Sequence, residues 1–302
     1  MAIREMHASG RDYLARVTEL LQRVRLADPH AGLWEAADLQ WWWRTPRRSD
    51  AIEQPFWADD DGPVAAAILT DWGTRWGCDP IIVPCAVPLS VVWERAMESV
   101  SELGLDHVEV LARDDDAALL ELLARSGFVR DDDEAGNCWR SADDPIRQAS
   151  PPPGLQIIDR QQLAVGPHPM SRRSGPAVEA RLRECSLYDP ALDLAALAQD
   201  GTVAGYALFW VDPVTRVGLV EPMRVEEAYQ RRGLARALLT AGLDRLVRRG
   251  AERLKVGYGT DAARRLYLSA GFRLTSTART YRLVRRRARE ASSSDVSPVS
   301  AK

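Results

Sequence analysis

The feature that most limits how this chain can fold is an order of predicted elements that occurs twice. Hydrophobic patterning in residues 12–128 predicts the order helix, strand, strand, helix, strand, helix, and residues 202–272 repeat this order without the first helix. Each series closes with the same pair of residues, Gly127-Phe128 and Gly271-Phe272. The glycine suits a left-handed helix cap, and the phenylalanine can seal the last helix onto a sheet. The repetition predicts two related α/β units.

The 302 residues are about twice the length of a common domain, which favours two hydrophobic cores. Residues 141–154 are polar and contain three consecutive prolines, a composition that is typical of a linker. From residue 285 a basic run leads into Ser-rich low complexity, which predicts disorder. The predicted division is a first half at 1–143, a linker at 144–154, a second half at 155–285 and a disordered tail at 286–302.

Composition excludes several classes of function. A formal net charge of -3 provides no overall basic field, so we expect no nucleic-acid partner. No apolar run approaches the roughly 20 residues of a membrane span, and the N-terminus lacks the apolar stretch of a secretory signal, so we expect a cytoplasmic protein without membrane contact. The four cysteines and four histidines form neither a CxxC pair nor a cluster with zinc spacing, and we expect no metal. The oligomeric state is not readable from the sequence.

One segment has the composition of an anion site. Gln230-Arg231-Arg232-Gly233-Leu234-Ala235 lies between a predicted strand and a strongly helical run. The start of a helix presents free backbone N–H groups and the positive end of the helix dipole, and together these bind a diphosphate. Gly233 allows close approach of the anion, and the two arginines add charge. On these six residues alone, an ordinary helix start with a surface arginine pair is an open alternative.

The surrounding residues resemble a known family. The segment at 230–235 resembles motif A of the GNAT acetyltransferase superfamily, Q/R-x-x-G-x-G/A, and residues 260–272 resemble motif B. The chain departs from motif B at Thr260, where the family usually has Asn, so one hydrogen bond to the cofactor is weaker or comes from the Thr hydroxyl. The resemblance covers about residues 194–283. Motif B residues at matching intervals are Ala263, Leu266, Tyr267, Gly271 and Phe272.

The resemblance implies an α/β (α+β) fold with two tandem GNAT-like domains, each a mixed, mostly antiparallel central sheet flanked by helices. It also implies acetyl-CoA as acyl donor. In the family, the strand before motif A, here 218–225, splays from its neighbour and binds the pantetheine arm through its backbone. Pro222 interrupts this strand, as expected where ladder pairing is broken. The cofactor-binding residues implied are Met223, Arg224, Val225, Gln230, Arg231, Arg232, Gly233, Leu234, Ala235, Thr260 and Ala263.

Two residues are candidates for proton transfer. Tyr267 falls at the family's general-acid position, and a phenol can protonate a departing thiolate. Glu221, on the strand before the loop, is the candidate base, because burial can raise a carboxylate pKa toward neutrality. Both have a structural alternative: Tyr267 as a residue packed on the sheet, and Glu221 as a structural carboxylate, since a one-residue shift along a strand reverses the side chain.

The first half resembles a GNAT domain that has lost its cofactor motif. Residues 84–92, at the position of motif A, contain neither glycine nor arginine, and Leu123 occupies the position of the tyrosine. Nine of the ten tryptophans precede the linker, including Trp41-Trp42-Trp43. Consecutive residues cannot all face one core, so at least one indole is expected at a domain interface or a ligand. A first half that caps the acceptor pocket and a plain core cluster are both open.

These observations predict an acetyl-CoA-dependent N-acetyltransferase in which the amine of a small molecule attacks the thioester directly. The alternative is a non-catalytic acetyl-CoA sensor or regulator, which would need the loop but neither Tyr267 nor Glu221. No segment identifies the acceptor amine.

Overall fold

The computed structural model describes residues 3–163 and 166–284, which form one continuous sheet of 13 strands with helices packed on its faces. The predicted tail at 286–302 lies outside the described residues. The first half contains β1 Arg4–Ala8, α1 Gly10–Ala27, α2 Ala36–Trp43, β2 Gln54–Asp59, β3 Gly62–Asp71, β4 Trp76–Ile82, α3 Leu89–Glu102, β5 His107–Arg113, α4 Ala117–Arg125, β6 Val129–Arg130 and β7 Ala135–Ser141. The second half contains β8 Leu155–Asp159, α5 Ser171–Ser174, α6 Val178–Arg183, β9 Asp193–Ala198, β10 Val203–Val211, β11 Val217–Val225, α7 Leu234–Arg248, β12 Arg253–Tyr258, α8 Asp261–Ser269 and β13 Arg273–Val284.

The two halves repeat one topology, as predicted. In each half four consecutive strands pair antiparallel with one another. The fourth strand also pairs with a fifth, parallel strand, so that β4 pairs with β5 and β11 with β12. Both closing glycines have the left-handed backbone that the sequence predicts, with φ of +79° at Gly127 and +91° at Gly271. The mixed, mostly antiparallel sheets flanked by helices confirm the predicted fold class.

The halves exchange their last strands. The order across the centre of the sheet is β5, β13, β7, β12, so the final strand of each half lies beside the other half. Ala278–Val284 of β13 pair with β5 of the first half, while Arg273–Ala278 pair with β7. Gly136–Ser141 of β7 in turn pair with β12 of the second half along its whole length. Hydrogen bonding therefore runs without a break through both halves.

Three apolar clusters stabilise this arrangement. One belongs to the first half, around α3 and α4, and one to the second half, around α7 and α8. The third is shared: α1 and α2 pack with α6 and with residues of β10 and β11, and it includes Trp41, Trp43 and the fully buried Trp210. Residues 144–154 form neither helix nor strand, which agrees with a linker, and the exact division at 143 and 155 stays a prediction. No helix within the described ranges is long and apolar enough to cross a membrane.

Candidate active site

The site begins where β11 leaves its parallel neighbour. Val217–Val220 pair with β12, but β11 continues to Val225 and β12 to Tyr258 without further pairing between them. On its other edge, β11 shifts register against β10, so that Glu221 and Pro222 together face a single residue of β10. This is a β-bulge, which bends a strand and interrupts its ladder. The strands therefore open into a cleft at Glu221.

The bulge has specific supports. The carbonyl oxygen of Glu221 accepts a hydrogen bond from Nε1 of the buried Trp210 at 2.7 Å. Pro222 has no N–H group to leave unsatisfied at the point where pairing stops. The sequence identified Pro222 as the interruption, and the structure places the bulge there.

Beyond the bulge, the backbone of β11 has free groups that point toward the cleft. The Glu226 N–H donates to the carbonyl oxygen of Ala204 at 2.9 Å, and Arg224 stands opposite Tyr206 in the same register. Backbone direction alternates along a strand, so Arg224 and Glu226 bond to β10 while Met223 and Val225 face the other way. The backbone of Met223 and the N–H of Val225 therefore point away from β10, as the predicted contacts to the pantetheine arm would need, and the side chain of Arg224 is exposed.

The segment between β11 and α7 is a tight loop. Nε2 of Gln230 donates to the carbonyl oxygen of Val225 at 3.1 Å, which folds the loop back toward the strand. Arg231 and Gly233 both have left-handed backbones, with φ of +63° and +89°. Only glycine adopts that conformation without cost, and a Cβ at Gly233 would meet open space. The space that a side chain at Gly233 would occupy is thus clear of protein.

The N-terminus of α7 suits an anion. Gly233 provides no side-chain cap, and within residues 3–163 and 166–284 no backbone acceptor bonds the N–H groups of Leu234, Ala235 and Arg236. Such unpaired N–H groups need an outside partner, and the positive end of the helix dipole favours a negative one. Arg231 and Arg232 are exposed beside them. These residues fit the diphosphate of a coenzyme A ester.

The rest of the loop is structural. Leu234 is buried under the sheet and anchors the first turn of α7, while Ala235 is partly exposed beside the free N–H groups. The guanidinium of Arg232 lies 5.8 Å from the ring centre of Tyr229. Both residues line a surface cleft with Pro153 and Asp200, at the side of the loop away from β12.

Motif B forms the opposite wall of the cleft. The Thr260 hydroxyl caps α8 by accepting a hydrogen bond from the Ala263 N–H at 3.3 Å. The oxygen that replaces the family's amide therefore has a local role, and only its O–H remains available as a donor. Ala263 is partly buried one turn before Tyr267.

Tyr267 projects from α8 into the cluster that packs on the sheet. It is 6% exposed, and its ring centre lies 6.1 Å from that of Phe272. Burial raises the pKa of the phenol, and the charges of Glu221 and Cys138 raise it further. Tyr267 therefore keeps its proton at neutral pH, and the charge of Glu221 acts on it across the sheet.

Glu221 lies on the side of the sheet that faces the first half. Burial raises the Glu221 pKa to about 7, and the negative charge of Asp38 adds to this, while Arg44 and hydrogen bonding by Trp41 lower it. All three of these neighbours belong to α2 or to the residue that follows it. A carboxylate with this pKa exchanges a proton near neutrality.

Sequence reasoning missed Asp38, Arg44, Tyr206 and Cys138. Cys138 is fully buried on the exchanged strand β7, and burial raises its pKa to about 11. The only signal in the sequence was the run Trp41-Trp42-Trp43, which predicted an indole at an interface. Trp43 fulfils that prediction, because its Nε1 donates to Oε2 of Glu184 in the second half at 2.7 Å. Trp41 does so as well, because it lies beside Glu221.

The first half retains the cleft without the anion site. β4 and β5 pair only at Trp76 and Gly77, and a pocket of about 220 Å³ lies where they separate. The helix that follows begins at Leu89 after Pro88, with no glycine before it. Leu123 is fully buried at the position of Tyr267.

Comparisons with known proteins agree with this geometry. Residues 160–272 match the model of the acetyltransferase (GNAT) family. A tandem GNAT protein from the clavulanic acid biosynthesis pathway is similar in structure over 94% of this chain and 98% of its own, with a TM-score of 0.65 and 14% identity. A GCN5-related N-acetyltransferase from Sphaerobacter thermophilus is similar over 93% and 95%, with a TM-score of 0.60 and 16% identity.

A GNAT-family acetyltransferase from Colwellia psychrerythraea is similar over 94% of this chain and 100% of its own, with a TM-score of 0.57 and 12% identity. A search of the curated proteins by sequence found no match. The family match covers both motifs and the cleft between them, and the structural similarity extends over both halves. Residues 160–272 therefore form a domain of the GNAT acetyltransferase family, in a chain with the fold of the tandem GNAT proteins.

Proposed function

We propose that this protein is a cytoplasmic N-acetyltransferase that transfers an acetyl group from acetyl-CoA to the amine of a small molecule. The observation that carries the proposal is the meeting of three features at one cleft. These are the uncapped N-terminus of α7, the Glu221 carboxylate with a pKa of about 7, and the protonated Tyr267 phenol. An anion-binding helix end beside a candidate base and a candidate acid is the arrangement that acyl transfer to an amine requires.

Backbone groups of α7 and β11 bind acetyl-CoA in this proposal. The N–H groups of Leu234, Ala235 and Arg236 bind the diphosphate, and the backbone groups of Met223 with the N–H of Val225 hold the pantetheine arm along the free edge of β11. When bound, acetyl-CoA supplies a thioester whose carbonyl carbon is open to attack by a neutral amine. Positioning by the cleft replaces a bimolecular encounter with a fixed approach.

Proton transfer falls to Glu221 and Tyr267. An amine acceptor is mostly ammonium at neutral pH, and Glu221 can remove its proton because its own pKa lies near 7. Tyr267 keeps its proton and can donate it to the departing sulfur, so the thiol leaves in neutral form. Glu221 lies on the face of the sheet near α2, and Tyr267 packs in the apolar cluster on the other face.

A non-catalytic sensor of acetyl-CoA is the second candidate. Such a protein would need the helix N-terminus but would gain nothing from a carboxylate whose pKa is raised to about 7 beside a buried phenol. Perturbed pairs of this kind are typical of active sites. The pair therefore favours the enzyme.

A thiol-release assay tests the proposal. The full chain is incubated with acetyl-CoA and a panel of primary amines, free thiol is followed with time, and acetyl-CoA affinity is measured by calorimetry. We expect binding together with amine-dependent thiol release and an acetylated product by mass spectrometry. Tight binding without release for any amine would support the sensor, and absence of binding would remove both candidates.

A further inference from the structure

Arg44, which follows α2 in the first half, is a half-buried cation without an acidic partner. Its guanidinium lies over the ring of Trp41 at 3.7 Å. Its Nη1 donates to the Trp41 carbonyl oxygen at 2.9 Å and its Nε to Oγ of Ser174 at 3.3 Å. Within residues 3–163 and 166–284 no carboxylate forms an ion pair with it, and Nη2 is free. A charge removed from water in this way normally has a counter-ion.

Arg181 provides an internal comparison. It also stacks on an indole, at 3.5 Å from the ring centre of Trp43, but its Nη2 lies 2.5 Å from Oδ2 of Asp50. The two arginines occupy equivalent surroundings at the contact between the halves. Arg181 has a carboxylate within ion-pair distance, whereas Arg44 has none among the described residues, and the anion that acts on it from farther away is Glu221.

Several charged side chains surround Arg44. Its charge acts on Glu221 and on Tyr206 of β10, and Arg47, which itself lies near Asp50 and Asp71, adds a positive charge nearby. The phenol of Tyr206 is also influenced by Arg173, Arg224 and Glu226. Glu226 is shared between those two arginines, at 2.9 Å from Arg173 and 3.7 Å from Arg224. Glu226 is therefore already shared by two cations, while no carboxylate of the described residues is ion-paired with Arg44.

We propose that the acceptor carries a carboxylate as well as its amine, and that Arg44 binds that carboxylate while Glu221 receives the amine. The acceptor is thus an amino acid or a closely related amino carboxylate. This inference rests on the proposed function, because it concerns the second substrate of the same cleft. The planar guanidinium, fixed by stacking and by two hydrogen bonds, presents its remaining N–H groups in the geometry that suits a carboxylate.

The role of Arg44 would give the first half a part in the reaction. Arg44, Trp41 and Asp38 all come from α2 and its end, while Glu221 belongs to the second half. The acceptor would therefore bind across the boundary, with its amine on one half and its carboxylate on the other. Neither half holds both groups.

The wild-type chain provides the first test. Thiol release is measured for amino acids, for their amides, and for the amines that remain after decarboxylation. The amides have less basic amines and the decarboxylated compounds more basic ones, so the two series bracket the intrinsic reactivity of the amino acids. We expect kcat/KM to be about 10- to 100-fold higher for the best amino acid than for both analogues, the range of a lost charged hydrogen bond. Equal or better use of the analogues would overturn the inference.

Variants provide the second test. Arg44→Gln should remove the preference for the carboxylate and leave acetyl-CoA affinity unchanged, and Arg44→Lys should keep part of the preference. Arg125→Gln, an exposed arginine on α4, is the matched control. If Arg44→Gln keeps the preference for a carboxylate, another residue must bind that group, and the proposed role of Arg44 is overturned. If Arg44→Gln does not fold, as judged by its melting temperature, the wild-type comparison decides. If no amine releases thiol from the wild type, the proposed function itself fails.

Discussion

Asp38 and Glu221 belong to different halves of the chain, and the negative charge of Asp38 contributes to raising the Glu221 pKa to about 7. Asp38 is itself buried, and burial raises its pKa to about 6. Two carboxylates close together in a partly desolvated site cannot both ionise freely. The first half therefore adjusts the acidity of the proposed base in the second half.

This relationship predicts the pH dependence of the reaction. If Glu221 is the base, only its ionised form is active, so kcat/KM should rise as the pH increases through about 7 and then level off. Glu221→Gln should lower kcat/KM by about 100-fold or more and remove this limb. A steady-state pH profile between 5 and 9 checks both results. A wild-type profile without a limb near 7 would return Glu221 to a structural role.

Replacing Asp38 should move the same limb. Asp38→Asn removes the negative charge while its amide oxygen can still accept the Glu35 N–H, so the helix start is kept. The Glu221 pKa should then fall, and the limb should shift to lower pH. The profile of Asp38→Asn is measured beside that of Asp115→Asn, an exposed carboxylate of the first half. If the rise in kcat/KM stayed at the same pH in both variants, Asp38 would have no influence on the Glu221 pKa.

Tyr267→Phe removes one hydroxyl and leaves the packing against Phe272 intact. We expect kcat to fall by about 100-fold, the usual contribution of a general acid, with acetyl-CoA affinity unchanged. Tyr281→Phe makes the same change on β13, away from the cleft, and should have wild-type kcat. Turnover that is equal in the two variants would leave Tyr267 as a packing residue.

Gly233→Glu tests the anion site. The substitution places a carboxylate at the start of α7, where the diphosphate should bind, so acetyl-CoA binding should be lost. Gly250, after the C-terminal end of the same helix, has the same φ of +89° and the same open surroundings. Gly250→Glu should therefore have a similar strain cost, about 1 kcal/mol, and normal binding. Calorimetry with acetyl-CoA distinguishes them, and wild-type affinity in Gly233→Glu would mean that the anion site lies elsewhere.

The contact between the halves also contains a buried ion cluster. Oε1 of Glu35 lies 2.5 Å from Nη2 of Arg25 and 2.9 Å from Nζ of Lys255, which belongs to the second half. Glu35→Gln removes the carboxylate that is ion-paired with both buried cations, so the free energy of unfolding should fall by about 3–5 kcal/mol. Glu121→Gln, which breaks an exposed pair on α4, should lower it by less than about 1 kcal/mol. Urea unfolding of the two variants provides the comparison. Equal unfolding midpoints would show that the buried ion cluster around Glu35 does not stabilise the fold.

The repeated helices and strands could be predicted from sequence because each depends on residues that are close together in the chain. The helical run predicted after the loop at 230–235 is the observed α7, and the glycine caps at Gly127 and Gly271 follow from the residue type. The splay after Val220 was expected from the family resemblance and from Pro222, and the pairing confirms it. The assigned roles of Glu221 and Tyr267 stay predictions, with a geometry that supports them.

The contribution of the first half could not be predicted. Arg44 and Asp38 lie about 180 residues before Glu221, and no local pattern shows that α2 packs on β11. The exchange of β7 and β13 was also missed, because either strand satisfies the same hydrogen-bonding pattern in either half. Which half each of these strands joins depends on long-range packing, and hydrophobic periodicity carries only local information.

The exchange of β7 and β13 gives the first half a structural role, even though it lacks the glycine-containing loop of the second half. A polypeptide that ended after residue 143 would keep β7 and lack β13, and one that began at residue 155 would lack β7 beside β12. As the strands are arranged here, each fragment would leave unpaired an edge that a strand of the other half covers in the full chain, and unpaired edges invite aggregation. The stability of the second half therefore depends on the first, whether or not the first half binds a ligand of its own.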